Sequence, residues 1–312
     1  MKSIVVTPRS MTDPAHPSLE RIRAAGYEVV MPSPGGQPTE LQLVEVLREA
    51  VGYIAGVEKI PRAILEAAPA LRAISRNGVG IDNVDLATAR ERGIEVLRAE
   101  GANARAVAEL TLSHMFAACR RIDLHAQWLN NHQWQRRKGM ELAGKTVGIV
   151  GCGRIGRMVA SMCLALGMRV RAYDPYPPQE FSPDGDFALL PLPDILTEAD
   201  VLTLHAPVPD DGTAILDEAA CARLKPGVII INTARFELID PVAVRRVLVN
   251  GTVSVLTVDA FASEPPSDWS LIDHENVIAT PHIGGFTAES VDRVADITID
   301  NLLRALAKAG VP

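Results

Sequence analysis

The sequence predicts an α/β protein built from two doubly wound parallel sheets. Short apolar runs alternate with segments of helical spacing through the first hundred residues, and a second series of the same rhythm starts at Lys145. The length agrees: 312 residues suit two domains better than one, since domains mostly run to roughly 100–200 residues.

In the first series the predicted strands are Ile4–Thr7, Glu28–Met31, Tyr53–Ala55, Ala73–Ser75 and Ile94–Leu97. Between them Pro17–Ala25, Thr39–Ala50, Pro61–Ala68 and Asp85–Arg92 carry helical spacing or helix-start signals. Asn77-Gly78-Val79-Gly80 follows the fourth strand, and its two glycines permit a tight turn with exposed backbone amides. A longer helix, Ala104–Arg120, is expected after Asn103 as N-cap, burying Val107, Leu110, Thr111, Met115 and Ala118. Ile122–Leu129 continues as helix into a polar stretch. With Trp128 and Trp134, that stretch reads either as a subunit contact or as a loop pinned by one aromatic.

The second series predicts strand Thr146–Val150, helix Arg154–Leu166, and strands Arg169–Tyr173, Val201–Leu204, Val228–Asn232, Val253–Val258 and Val277–Ala279. Six strands in this space match a dinucleotide-binding doubly wound sheet. The last helix, Ala288–Ala309, has apolar positions Val291, Val294, Ile297, Leu302, Leu303 and Leu306 and no strand after it, so it is expected to return to the first unit.

Composition excludes several classes. Lys and Arg number 31 against 38 Asp and Glu, a net charge of −7, with 47% hydrophobic and 22% charged residues. That is globular rather than disordered. The acidic balance argues against a nucleic-acid partner, which needs a basic face for phosphates, and 4% aromatic content offers no stacking platform. No apolar run reaches the roughly 18 residues of a spanning helix, so no membrane partner is expected. The opening residues enter a strand pattern without an apolar leader, so a cytoplasmic location is expected. Cys119, Cys152, Cys163 and Cys221 form no C-x-x-C pair and neighbour no histidine at ligand spacing. Buried reduced thiols, no metal and no disulfide framework are the expectation.

Gly151-Cys-Gly-Arg-Ile-Gly156 follows a predicted strand and opens a helix, the context that gives G-x-G-x-x-G meaning. Gly151 allows the tight turn, Gly153 the approach of a pyrophosphate, and Gly156 close packing of helix on strand. The helix N-terminus offers donors to phosphate. Asp174 ends the next strand and suits a ribose hydroxyl while repelling a 2′-phosphate, which favours NAD; Arg171 nearby pulls the other way. A SAM-dependent methyltransferase carries a similar loop and acid, so the loop alone does not name the chemistry.

Three polar residues follow later strands: Arg235 after Val228–Asn232, Glu264 after Val253–Val258, and His282 after Val277–Ala279. Carboxyl ends of strands face the ligand crevice of such a sheet. A guanidinium holds a carboxylate with two parallel bonds and polarises an adjacent carbonyl. An imidazole gives or takes a proton near neutrality, and a glutamate beside it favours the imidazolium and fixes the ring. Taken singly, such an arginine is usually a surface ion pair and such a histidine usually structural; their joint placement behind a nucleotide loop suits reduction of a 2-keto acid. His205 is expected to shape the cofactor loop rather than transfer a proton, and Glu109 to serve as a hinge or cap.

Together these residues resemble the D-isomer-specific 2-hydroxyacid dehydrogenase family, in particular its phosphoglycerate dehydrogenase-like branch. The matching segments are Arg76–Leu86, Val107–Glu109, Gly144–Gly156, Ile231–Arg235, Glu264-Pro265 and Pro281–Gly285. The resemblance implies a flavodoxin-like substrate domain, 1–102 plus 284–312, and a Rossmann NAD-binding domain, 103–283. The helices Ala104–Arg120 and Ala288–Ala309 would then act as the hinge. It implies an NAD(H)-dependent enzyme, a small 2-keto or 2-hydroxy acid as substrate, and a homodimer. It makes Arg235, Glu264 and His282 catalytic. Cofactor contacts would come from Gly151, Gly153, Arg154, Ile155, Gly156, Asp174, His205, Ala206, Pro207, Thr233, Ala234, Asp259, Gly284 and Gly285. Substrate contacts would come from Asn77, Gly78, Val79 and Gly80 with Arg235 and His282. A catalytically weak NAD-sensing protein of the corepressor type is the alternative.

Three departures bear on specificity. Phe236 stands where the family usually has glycine, which either narrows the substrate pocket or changes the backbone angle. Ala55-Gly56-Val57 stands where many members place a polar or basic substrate contact. The chain stops after the last helix, so feedback by serine through a further domain is not expected. Arg76, Arg98 and Arg105 are either receivers of a second anionic group, such as a phosphate or phosphonate, or surface charges.

Overall fold

A computed structural model describes residues 2–177 and 180–311. The chain divides into two compact units, Met1–Asn103 with Thr287–Pro312, and Ala104–Phe286.

The first unit alternates strand and helix: β1 (Ser3–Val6), α1 (Leu19–Ala24), β2 (Glu28–Val30), α2 (Glu40–Leu47), β3 (Ala50–Ala55), α3 (Arg62–Glu66), β4 (Ala73–Arg76), α4 (Leu86–Glu91) and β5 (Glu95–Arg98). The strands form one parallel sheet in the order β2-β1-β3-β4-β5, the flavodoxin-like winding. Leu43 and Leu47 of α2, Ile64 and Leu65 of α3 and Ala89 of α4 cover one face. Thr39 starts α2 with a capping box, its hydroxyl accepting from the Gln42 amide while the Gln42 side chain accepts from the Thr39 amide at 2.9 Å.

The second unit runs α5 (Ala104–Arg120), α6 (Ile122–Asn130), β6 (Thr146–Val150), α7 (Arg154–Ala165), β7 (Arg169–Tyr173), β8 (Phe187–Leu189), α8 (Leu192–Glu198), β9 (Val201–Leu204), α9 (Glu218–Cys221), β10 (Val228–Asn232), α10 (Pro241–Val249), β11 (Val253–Val258) and β12 (Val277–Ala279). Its parallel sheet has the order β12-β11-β10-β9-β6-β7-β8. The order reverses between β6 and β9, the switch point at which such sheets bind ligands. Two apolar clusters pack on its faces, one with α5 and α7, the other with α8, α9 and α10. The chain then returns to the first unit as α11 (Ala288–Lys308), whose Ala295, Ile299, Leu302 and Leu306 pack with Ile4, Ile54, Leu19 and Ile22 on the other face of the first sheet.

Three expectations need correction. The predicted helix Thr39–Ala50 ends at Leu47, because Ala50 already pairs with Ser3 in β3. β3 is buried at every position, so no alternation marks where it begins. The second sheet has seven strands, not six: β8 is a three-residue edge strand, too short for periodicity to reveal. Helices α8, α9 and α10 are missing from the predicted elements, although Asp240-Pro241 is an N-cap followed by proline at the first helical position. Phe236 opens a 3₁₀ turn through Leu238 and is not among the residues with positive φ.

Candidate active site

The glycine loop sits where β6 meets β9. Gly151 has φ +96°, and a Cβ there would fall 2.6 Å from the Ala206 nitrogen, so the turn after β6 lies directly on the His205–Ala206 backbone. A Cβ on Gly156 would collide with the Gly151 carbonyl. Around Gly153 the opposite holds: a Cβ would meet nothing within 4 Å, and no side chain caps the N-terminus of α7. Open space in front of uncapped helix amides fits a phosphate. Arg154, Arg157 and Arg105 line a shallow cavity of about 410 Å³ along the same turns, and Ile155 is half-buried in the first turn.

Asp174 accepts from the Cys152 amide through Oδ2 and from the Tyr176 amide through Oδ1, both at 2.8 Å. It braces the loop and keeps lone pairs for further donors. Arg171 turns away from this role, its guanidinium taken by Asp186 at 2.7 Å and facing Glu198 at 3.8 Å. The residues present therefore fit a dinucleotide with a free ribose hydroxyl. His205 Nε2 lies 2.9 Å from Thr203 Oγ1 while its buried Nδ1 has no partner among the described residues, and burial depresses its pKa to about 3. A ring so reluctant to charge is neutral near pH 7 and holds no extra proton to give.

The three later strands end in register, with Asn232, Val258 and Ala279 as successive Cα partners across β10, β11 and β12. Arg235 and His282 each stand three residues beyond that row. Asn232 builds the first turn: its side chain donates to the Arg235 carbonyl at 2.7 Å and accepts from the Ala234 amide at 3.1 Å. Arg235 is half-buried, with Nη1 donating to the Ala234 carbonyl. The Asn232 carbonyl accepts from the Asp259 amide at 3.1 Å, linking this turn to the next.

Asp259 is 1% exposed and templates the turn carrying His282. Its Oδ1 accepts from Thr280 Oγ1 at 2.6 Å and the Ile283 amide at 2.9 Å; its Oδ2 accepts from the Gly284 amide at 2.7 Å. His282 has φ +52°, a conformation non-glycine residues hold only where their surroundings enforce it. Its Nδ1 lies 2.6 Å from Glu264 Oε1, which also accepts from the Phe261 amide at 3.3 Å. The two side chains are 48% and 41% exposed, so the pair is formed yet open to a reactant. Thr233 spends its hydroxyl on Thr111 at 2.9 Å, while Pro207 is exposed and Gly285 half-buried.

A sequence profile described as "D-isomer specific 2-hydroxyacid dehydrogenase, NAD binding domain" matches residues 112–284. The chain is 38% identical over 271 residues to a hydroxypyruvate reductase of Thermotoga maritima, covering 85% of this chain and 88% of that one. This chain belongs to the D-isomer specific 2-hydroxyacid dehydrogenase family. It is also 36% identical over 293 residues to a D-3-phosphoglycerate dehydrogenase of Mycobacterium tuberculosis, covering 93% of this chain and 56% of that one. It thus spans about half the length of the phosphoglycerate dehydrogenases it matches. A solved structure from Thermus thermophilus superposes with a TM-score of 0.87 at 33% identity over 98% of this chain and 97% of that one. A D-lactate dehydrogenase of Aquifex aeolicus, solved with NAD and lactic acid, gives 0.83 at 26% identity over 98% and 96%.

Within this dehydrogenase family the chain's departures now have a physical description. Phe236 lines a cavity of about 750 Å³ on the α10 side with Phe261, Val242 and Leu271. In the first unit Asn77 is held through its side chain by Ser10 and Thr298, while the Val79 and Gly80 amides take no intramolecular acceptor among the described residues. Gly78 has φ +154°, with the Arg76 guanidinium against it. Ala55, Arg76 and Arg98 end β3, β4 and β5 in one row. Arg98 faces Glu100 at 3.8 Å, and Arg105 pairs with Glu109. Burial pushes Cys119 and Cys221 to about 11 and Cys163 to about 12, so these thiols stay protonated and inert. Among the described residues no three His, Cys, Asp or Glu are grouped to hold a metal, and no helix is long and apolar enough to cross a membrane.

Two features escape a reading of the sequence: the service of Asn232 as a turn-former, and a buried histidine, His114, hydrogen-bonded to Thr280. Asparagine directly after a buried strand is a usable signal for the first.

Proposed function

We propose that this chain is an NAD(H)-dependent oxidoreductase interconverting a small 2-keto acid and its D-2-hydroxy acid by hydride transfer. The observation that carries the reading is the formed His282–Glu264 pair, 2.6 Å long, at the end of a strand in register with the one that leads to Arg235. Bound at Gly151–Gly156 and Asp174, the nicotinamide cofactor would supply the hydride. Glu264 holds His282 through Nδ1, which leaves Nε2 to pass its proton to the keto oxygen. Arg235 holds the substrate carboxylate and stabilises charge developing on the reacting oxygen. In the first unit, Val79 and Gly80 are the proposed substrate contacts, with Asn77 and Gly78 shaping that loop. No observation favours a sensor without turnover.

NADH oxidation against glyoxylate, hydroxypyruvate, a phosphorylated and a phosphonate 2-keto acid tests this reading. Turnover is expected on at least one; NADH binding with none overturns it. His282→Ala should lower kcat by about 10²–10⁴-fold, the usual worth of general acid catalysis, with NADH affinity retained. Glu264→Gln should lower kcat of keto-acid reduction, because the carboxylate that holds the His282 ring through Nδ1 is gone. An unchanged kcat rejects the pairing's role.

We also infer assembly as a homodimer through α5, α6 and the segment after them, where Phe116, Ile122, Leu129 and Trp134 are 42%, 56%, 60% and 83% exposed. Trp128 is instead tucked edge-on against His125. Light scattering should give twice the chain mass; a monomer at micromolar concentration rejects this.

A further inference from the structure

His114 lies on α5 between the buried Thr111 and Met115 and is 3% exposed. An apolar side chain would fill such a place without polar cost, whereas a buried imidazole requires a partner. His114 Nε2 lies 3.0 Å from Thr280 Oγ1. The direction of that bond follows from the next one. The Asp259 carboxylate only accepts, so the single hydroxyl proton of Thr280 goes to Asp259 Oδ1 at 2.6 Å. Thr280 Oγ1 is left with lone pairs, and Nε2 of His114 must carry a proton to meet them. Burial lowers the pKa of His114, against a weaker opposing pull from Asp259, so the ring is neutral and in its Nε2–H tautomer.

We infer that His114 is a positioning residue for the His282 imidazole, acting through Thr280 and Asp259. The inference rests on the reading of His282 as proton donor. Nε2–H, Oγ1–H and Oδ1 form a head-to-tail series in which each donor polarises the next. The series ends on the carboxylate that also gathers the Ile283 and Gly284 amides. On its other flank, His282 donates its own amide to the Thr280 carbonyl at 2.9 Å. The residue after the φ +52° position and its own amide are thus both tied to one network, and His114 is its far end. Without His114 the Thr280 hydroxyl loses its donor. The turn then gains freedom to relax, and the His282 ring to drift from Glu264.

The effect should be a fraction of the roughly 10²-fold that displacing a catalytic group by 1 Å costs. His114→Leu is expected to lower kcat for hydroxypyruvate reduction by about 5- to 20-fold, with the NADH dissociation constant within about twofold of wild type. His114→Gln, whose amide still donates to Thr280, should recover most of the loss. Serial links are not additive, so His114→Leu placed in Thr280→Val should cost nothing further. Wild-type kcat in His114→Leu, no recovery in His114→Gln, or additive losses in the double variant each overturn the inference. Histidine-labelled nitrogen NMR of the unmutated protein reads the same bond without any variant. The Nε2–H form of His114 is expected, and the Nδ1–H or charged form overturns the relay. His282→Ala separates the two levels. Retained turnover there removes the proton-donor reading and this inference with it, whereas lost turnover beside an unaffected His114→Leu removes the inference alone.

Discussion

Each unit hides one carboxylate just past the end of a strand, and the two are put to different use. Glu58, after β3, is 4% exposed; its Oε1 accepts from the Thr7 and Tyr53 hydroxyls and from the Gly56 amide at 2.9 Å. Asp259, after β11, is 1% exposed and accepts from one hydroxyl and two amides. Both serve as templates on which a loop is folded. In the loop on Glu58, Ala55–Val57, only Val57 is exposed. The loop on Asp259 presents His282, in a conformation that has to be enforced. The same device holds a mostly buried loop in one unit and, under the proposed function, the proton donor in the other.

The contrast is sharpest in kinetics. Asp259→Asn withdraws charge and acceptor capacity from the His282 turn, so kcat should fall by about 10²-fold or more, the scale of a misplaced catalytic group. Urea unfolding should show a loss of about 2–4 kcal/mol as buried donors lose partners. Glu58→Gln should cost a similar order, about 1–3 kcal/mol, yet reduce kcat by less than about tenfold, since no reacting group hangs from its loop. Equal kcat losses in the two variants would break the distinction.

The smallest effect concerns acid. The pKa of His205 is about 3 when folded against an ordinary 6.5. As pH falls through that window the unfolded chain gains a proton that the folded chain refuses. Stability therefore declines toward acid, by about 1.4 kcal/mol per pH unit for one such group. His205→Gln removes the titration, so its urea-unfolding free energy should fall less steeply between pH 6 and pH 4, by about that slope. Parallel curves for the two proteins would show that His205 protonates freely when folded.

Much of this was legible in the sequence, and the reason differs between the halves. In the second unit, the bounds of β6, β7, β9, β10, β11 and β12 agree with apolar runs cut off by glycine or by a polar residue at the carboxyl end. In the first unit α2 and β3 abut across two residues, and a wholly buried strand has no period to separate it from a helix. At the site, glycine spacing and strand ends pointed to Gly151–Gly156, Arg235, Glu264 and His282. What they do not encode is who orients whom. Asp259 and His114 act on His282 across β11, β12 and α5, contacts made by the folded packing and invisible to spacing along one segment. The positive φ of His282 is equally silent, since nothing in Pro281-His282-Ile283 marks it.

The placement of α11 has a consequence for synthesis. One face of the first sheet is closed by Ala295, Ile299, Leu302 and Leu306, carried on the 21-residue helix that comes after the whole of the second unit. While a ribosome is still making the middle of the chain, Ile4 and Ile54 have only the α1 residues Leu19 and Ile22 over them. The inserted unit can collapse on its own residues first, and the earlier-made sheet must keep its half-covered side from sticking until the final helix emerges.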